Sequence, residues 1–218
     1  MLEGYALSYG YLFFVIFFIG FLQKLLKFDV EISRKLIHLF IGFVWLILYK
    51  YFTGTIHFVI IPLSFVFINY LSYKFKIFKM FERESGNKNH LGTVYYAASI
   101  TILAAVSLLW DAVLLPFGIA VFCLSFGDAA AALFGGGIKR YNVKLTKEKS
   151  LVGTLSAIVF SVVGILVFMC FVSVPLRWYE ILVVGIASGL LELVGKGLDN
   201  FALPFGVAIL STFFLHGV

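Results

Sequence analysis

Four groups of polar residues interrupt an otherwise apolar chain, and their types suit the handling of a metal-bound polyphosphate. Glu31, Arg34, Lys35 and His38 are spaced at 0, 3, 4 and 7, which puts a carboxylate, two cations and an imidazole on one face of a helix. Such a stripe can hold a phosphate, with Glu31 orienting Arg34 or Lys35. The plainer reading is a set of flanking cations that snorkel to a membrane interface, with His38 hydrogen-bonded among helices. Lys24 and Lys27 fit that description; Glu31 and His38 do not. A second group runs from Glu82-Arg83-Glu84 to His90-Leu91-Gly92-Thr93 and Tyr95-Tyr96. A charged interfacial loop explains it as well as a site does, unless a helix starting near His90 turns His90 and Thr93 toward a shared pocket.

The third group carries the most information. Ser125-Phe126-Gly127-Asp128 is followed by four alanines, then Gly135-Gly136-Gly137 and Ile138-Lys139-Arg140. A charge at membrane depth costs about 2.5–3.5 kcal/mol on insertion scales, so Asp128 needs a reason. The small residues around it let a neighbouring helix or a ligand approach closely. The three glycines are expected to end the helix and free the backbone, with cations directly after. Asp128 would then ligate Mg²⁺ while Lys139 and its neighbours bind phosphate oxygens. Lys147, Lys149-Ser150 and Gly153-Thr154 extend the same loop with further phosphate contacts. The run is no Walker A loop, because Gly135 to Lys139 lacks the Gly-Lys-Ser/Thr ending and no strand precedes it. The alternative for Asp128 is a structural pair with a nearby cation.

The fourth group is Gly185, Gly189, Glu192, Lys196, Asp199 and Asn200. Gly185, Gly189 and Glu192 share a helix face, which Asp199 would continue if Gly195 and Gly197 leave the helix unbroken. Glu192 and Asp199 could join Asp128 in holding a metal. Alternatively Glu192 pairs with Lys196 four residues on, and Asp199 or Asn200 caps the last helix.

These groups must be positioned by membrane helices. The chain of 218 residues is 62% hydrophobic with a mean hydropathy of +1.05. It divides into about eight apolar runs of spanning length: Gly10–Leu26, Leu36–Tyr49, Ile56–Leu71, Leu91–Leu109, Ala112–Phe134, Val152–Val174, Tyr179–Gly195 and Phe201–His216. Pro204 falls early in the last run, where it removes a backbone hydrogen bond. The fold class is therefore all-α, a polytopic membrane protein, with residues 1–218 forming one integral domain. The first run reads as a retained helix, because no cation precedes it and no small-residue cleavage site follows. Cys123 and Cys170 lie inside apolar runs, which argues against disulfides and cysteine metal sites.

Of the 17 Lys and Arg residues, 15 fall in alternate connections. Those connections hold Lys24 to Lys35, Lys74 to Lys88, Lys139 to Lys149, and Lys196; only Lys50 and Arg177 fall in the others. Positive loops face the cytosol, so both termini are expected outside and all four polar groups at the cytosolic face. The net charge of +6 needs no nucleic acid, since positive-inside loops beside anionic lipid account for it.

Taken in order, the motifs resemble the family of CTP-dependent lipid-alcohol kinases, which includes dolichol and polyprenol kinases, phytol and farnesol kinases and CTP-using diacylglycerol kinases. The matching pieces are Glu31-x-x-Arg34-Lys35-x-x-His38, His90-Leu91-Gly92-Thr93-x-Tyr95-Tyr96, Gly127-Asp128-Ala129-x-Ala131, Gly135-x-Gly137 with Lys139, Lys149-Ser150-x-x-Gly153, and Glu192 with Asp199-Asn200-x-x-x-Pro204. They run from residue 31 to 204, almost the whole chain. The resemblance implies a kinase that moves a phosphoryl group from CTP to a lipid alcohol of polyprenol or dolichol type, within the bilayer at the cytosolic face. In a prokaryote that bilayer is the plasma membrane. Mg²⁺ would be held by Asp128, Glu192 and Asp199. The triphosphate would meet Arg34, Lys35, Gly135, Gly137, Lys139, Lys149 and Ser150, and His38 or Asp128 would serve as base. Relatives commonly carry Lys-Ser-x-Glu-Gly, and Val152 stands here at the Glu position, which puts in doubt any metal ligand copied from there.

Two other activities compete. Phosphatidate cytidylyltransferases use related nucleotide chemistry, but their lysine- and aspartate-rich C-terminal signature is missing. A transporter would place ionisable groups near the midplane and open them to both sides, whereas here they gather at one face. The sidedness is testable. In a background without Cys123 and Cys170, a cysteine at Lys144 is expected to react with an impermeant thiol reagent only from the cytosol. One at Thr53 is expected to react only from outside. External labelling at Lys144 would overturn the topology.

Overall fold

The computed structural model describes residues 1–75, 77, 91–137, 143–146, 149–195 and 198–217. Among them the chain is helical, with no strand and one isolated bridge between Lys144 and Ser150. The helices are α1 (Leu2–Leu26), α2 (Val30–Ile41), α3 (Val44–Phe52), α4 (His57–Phe75) and α5 (Gly92–Leu109). After them come α6 (Leu114–Cys123), α7 (Ala129–Gly137), α8 (Leu151–Phe171), α9 (Trp178–Val194) and α10 (Asp199–His216).

Six stretches are long and apolar enough to cross a membrane: α1, α2 with α3, α4, α5, residues 111–136 containing α6 and α7, and α8. They correspond to the first six expected spans. At 17 residues, α9 is about 25 Å long, short of a hydrocarbon core of about 30 Å. α10 opens on Asp199 and carries Pro204 in its second turn.

Several boundaries differ from the sequence expectation. The second span starts at Val30 rather than Leu36, so Glu31 to His38 lie on the helix itself, and it breaks at Gly42–Phe43. The fifth span is interrupted by a π turn at Leu124–Asp128, a feature that periodicity does not reveal. The glycines do not end it at residue 135: the helix continues to Gly137. α9 stops at Val194 with Gly195 as its C-cap. Asp199 therefore does not continue the Glu192 face; it returns to it from the start of α10.

The centre of the fold is a tightly packed group of α6, α8, α9 and α10. Phe117, Phe122, Ile165 and Phe168 are completely buried there with Val184 and Leu203. Between α8 and α9 the backbones approach at Gly185 and Gly189: an added Cβ would collide with Val162 at the first and Ile158 at the second. Ser161 on α8 meets Ser188 on α9 at 2.8 Å, an interhelical hydrogen bond of the kind that helps hold membrane helices together. α1 and α4 flank this core, joined by Tyr5 to His57 (2.6 Å) and Tyr9 to Ser64 (2.9 Å).

Candidate active site

The starts of α2, α5, α8 and α10 and the ends of α4, α7 and α9 meet at one end of the bundle. Alternating helix direction produces this convergence, and it gathers the polar groups around one cavity of about 560 Å³. On α2, Glu31 and Arg34 pair across one helical turn at 2.6 Å. Lys35, one residue on, turns inward and donates to both oxygens of Asp128 at 2.5 Å. Glu31 therefore orients Arg34, not Lys35. His38 stacks on Tyr96, with ring centroids 4.5 Å apart, and its Nδ1 lies 3.9 Å from Asp128 Oδ2. Tyr96 in turn meets the Ser125 hydroxyl at 3.1 Å. The π turn thus supplies Ser125 and Asp128 together, in line with the frequency of such turns at functional sites.

Across the cavity, Lys149 donates to Glu192 and, at 2.9 Å, to Asp199. The segment before α8 fixes this lysine through Leu145 N–H to its carbonyl (3.0 Å) and Leu151 N–H to Val143 O (2.8 Å). Partial burial opposes the charge on Lys149, but Asp199 and Glu192 outweigh it and raise its pKa above the ordinary lysine value. Asp199 is the first residue of α10 and not its cap; Leu198 holds that position. Ser150 caps α8, its Oγ accepting from Gly153 N–H at 3.2 Å. A Cβ at Gly135 would sit 3.1 Å from both Gly153 Cα and Ser150 Oγ. The role of Gly135 is therefore close approach of α7 to this cap, while Gly137 closes α7. Lys139, His90, Lys147 and Lys196 lie outside the described residues.

The structure brings Asp128, Glu192 and Asp199 together: one carboxylate oxygen of each lies within 4.8 Å of the others. Three carboxylates face two ammonium groups, so among the described residues this inner cluster keeps one negative charge. Glu192 Oε2 is buried with no hydrogen-bond partner among the described residues. An all-oxygen donor set with uncompensated charge fits a hard divalent cation such as Mg²⁺. Val152, at the position where relatives carry Glu, lies instead along a shallow apolar groove with Phe134, Leu155 and Phe160. The carboxylate cluster forms without it.

Sequence reasoning missed Asn69 and Ser72 at the cavity, and named Asn200 only as a helix-cap candidate and motif residue. Asn69 on α4 donates to Thr93 O at 3.1 Å, and Asn200 on α10 donates to Gly92 O at 2.9 Å. Both tie the start of α5 into the site, and Ser72 lines the cavity beside Asn69. An asparagine at depth in an apolar run was the available signal for Asn69.

The chain is 30% identical over 223 aligned residues to phytol kinase of Synechocystis sp., an alignment covering 94% of this chain and 89% of that protein. This chain belongs to the lipid-alcohol kinase family. No family model and no solved structure matches it. In this lipid-alcohol kinase the apolar helices are those of a membrane protein, as a lipid acceptor requires.

Removing the Lys149 ammonium leaves Glu192 and Asp199 uncompensated, and breaking a buried pair costs about 3–5 kcal/mol. The Lys149 side chain is 19% exposed, so Lys149→Gln is expected to lose about 3 kcal/mol or less. Its thermal midpoint in detergent should fall, and millimolar Mg²⁺ should raise it more than it raises the wild type. Equal midpoints with and without Mg²⁺ would contradict the charge balance described.

Proposed function

We propose that this lipid-alcohol kinase transfers the γ-phosphoryl group of CTP to an isoprenoid alcohol of the bilayer, at the cytosolic ends of eight membrane-crossing helices. The observation that carries this reading is the trio of carboxylates within 4.8 Å of one another, balanced by Lys35 and Lys149 on the wall of the same cavity. Phosphoryl transfer needs little from a protein beyond positioning and charge neutralisation. Asp128, Glu192 and Asp199 would hold Mg²⁺, which when bound neutralises phosphate charge. Arg34, already oriented by Glu31, and the ammonium groups of Lys35 and Lys149 meet the triphosphate oxygens. The Gly135–Ser150 contact lets the backbone come close to the phosphates, and Lys139 follows α7 in sequence.

The hydroxyl oxygen of the lipid attacks the γ-phosphorus. The bond from that phosphorus to the β,γ-bridging oxygen breaks, and CDP leaves. The hydroxyl proton passes to His38 or Asp128. His38 is the better placed acceptor, because its buried Nδ1 has no hydrogen-bond partner among the described residues while both Asp128 oxygens take Lys35. CDP-lipid synthesis would use the same nucleotide with attack at the α-phosphorus, and the products separate the two: lipid monophosphate and CDP, against CDP-lipid and pyrophosphate.

Purified protein given each of the four γ-labelled nucleotides and a prenol is expected to label the lipid from CTP. Arg34→Ala and Lys35→Ala should each lower kcat/KM for CTP by roughly tenfold or more, as expected for lost hydrogen bonds to a charged group. Lys24→Ala and Lys27→Ala, equally cationic but on or beside the end of α1, should not. Equal losses in all four would reduce the stripe to flanking charge, and labelled pyrophosphate in place of labelled lipid would favour the transferase.

A further inference from the structure

The cavity has a second half that phosphoryl transfer does not use. Below the charged residues it continues between α1, α3, α4 and α5, where Leu12, Val44, Leu48, Ile61, Phe65 and Ile100 line it. This half is apolar throughout, and a space of that kind takes an apolar occupant rather than water. From Lys35 to Leu48 is thirteen residues, about 20 Å at a helical rise of 1.5 Å per residue. That is roughly two-thirds of the hydrocarbon core of a bilayer.

At the far end the lining residues Leu12, Leu48 and Ile61 are at most 2% exposed, and aromatic side chains are buried in the same helices about one turn away. Trp45, Phe52 and Phe58 are each at most 2% exposed. The Trp45 and Phe58 rings lie 6.5 Å apart, and Tyr5 packs on Phe52 at 5.1 Å. The contacts that join α1 to α4 also sit at this end: Tyr5–His57, Tyr9–Ser64 and the Phe13–Phe65 ring pair. Nearer the site the wall passes to Ile16, Ile68 and Tyr73, which are partly exposed.

We propose that this half-cavity is a seat of fixed depth for one isoprenoid tail, with Leu48 and Ile61 as the residues that set its length. The inference rests on the lipid-alcohol kinase reading and sharpens its acceptor. The hydroxyl sits beside Asp128 and His38, the tail reaches the bilayer side past Ile68 and Tyr73 during loading, and its end abuts Leu48 and Ile61 when seated. A single channel with one closed end seats one chain. A diacylglycerol would leave its second tail outside, and a long polyprenol would overrun the seat at Leu48 and Ile61.

The test is a chain-length series of farnesol, geranylgeraniol, undecaprenol and diacylglycerol with the wild type, Leu48→Trp and Ile61→Trp. The wild type should favour geranylgeraniol over undecaprenol and diacylglycerol by at least about tenfold in kcat/KM, the scale at which apolar pockets discriminate. The Trp variants should shift the optimum to farnesol without changing KM for CTP. A flat wild-type profile, or equal loss of every alcohol in the variants, overturns the seat.

Geranylgeraniol carrying a photoreactive group at its tail end separates the seat from the chemistry. Cross-links to peptides containing Leu48 or Ile61, in the Asp128→Asn variant as in the wild type, support the seat; if the wild type itself phosphorylates no alcohol, the kinase reading alone falls. Cross-links confined to the lipid-facing Phe14 or Phe67 overturn the seat, and phosphorylation in the same sample leaves the kinase reading standing.

Discussion

Everything at the site depends on how two buried carboxylates and a partly exposed third are held together inside an apolar bundle. Asp128 and Glu192 are at most 3% exposed, and an isolated carboxylate at such depth is strongly disfavoured. Two lysines from opposite sides of the cavity offset them: Lys35 from α2 on Asp128, and Lys149 from the start of α8 on Glu192 and Asp199. Among the described residues, two ammonium groups against three carboxylates leave the inner cluster short by one positive charge. A dication would exceed that deficit by one, and the cluster would then attract polyphosphate. On the proposed reading, the same residues would favour an anionic nucleotide once a cation is bound.

That charge balance constrains the helices. The π turn before α7 must bring Asp128 within reach of α2, which the alanines after Asp128 permit. α8 and α9 must lie close enough for Lys149 to reach Glu192, which Gly185 and Gly189 permit by removing side chains that would meet Val162 and Ile158. α10 must start beside the end of α9, and the stop at Gly195 achieves this. Helix packing and site chemistry are one problem here. A side chain added between α8 and α9 would move Lys149 and Glu192 apart.

Much of this was legible in the sequence because membrane depth makes polar residues conspicuous. Glu31, Arg34, Lys35 and His38 announce a helix face by spacing alone, and Asp128 stands out against its alanines. The partners were less legible. Pairing Lys149 with Glu192 and Asp199 crosses 43 and 50 residues, which no local pattern encodes, whereas the nearer Lys196 invited a local pair. Gly135 to Gly137 read as a helix stop because glycine is a poor helix former, yet α7 runs to Gly137, with Gly135 packed against the Ser150 cap. The apolar half of the cavity was invisible, since Leu48 and Ile61 look like any other residue of an apolar run.

The central claim is that Asp128, Glu192 and Asp199 form one cation site completed by a nucleotide triphosphate. Paramagnetic Mn²⁺ reports on it without turnover. In titrations of purified protein followed by electron paramagnetic resonance, CTP should produce one tight Mn²⁺ site per chain. Asp128→Asn, Glu192→Gln and Asp199→Asn should each weaken it by about tenfold or more, a loss of about 1.4 kcal/mol. Unchanged Mn²⁺ binding in all three variants would contradict the account, and the carboxylates would then be structural partners of Lys35 and Lys149 alone.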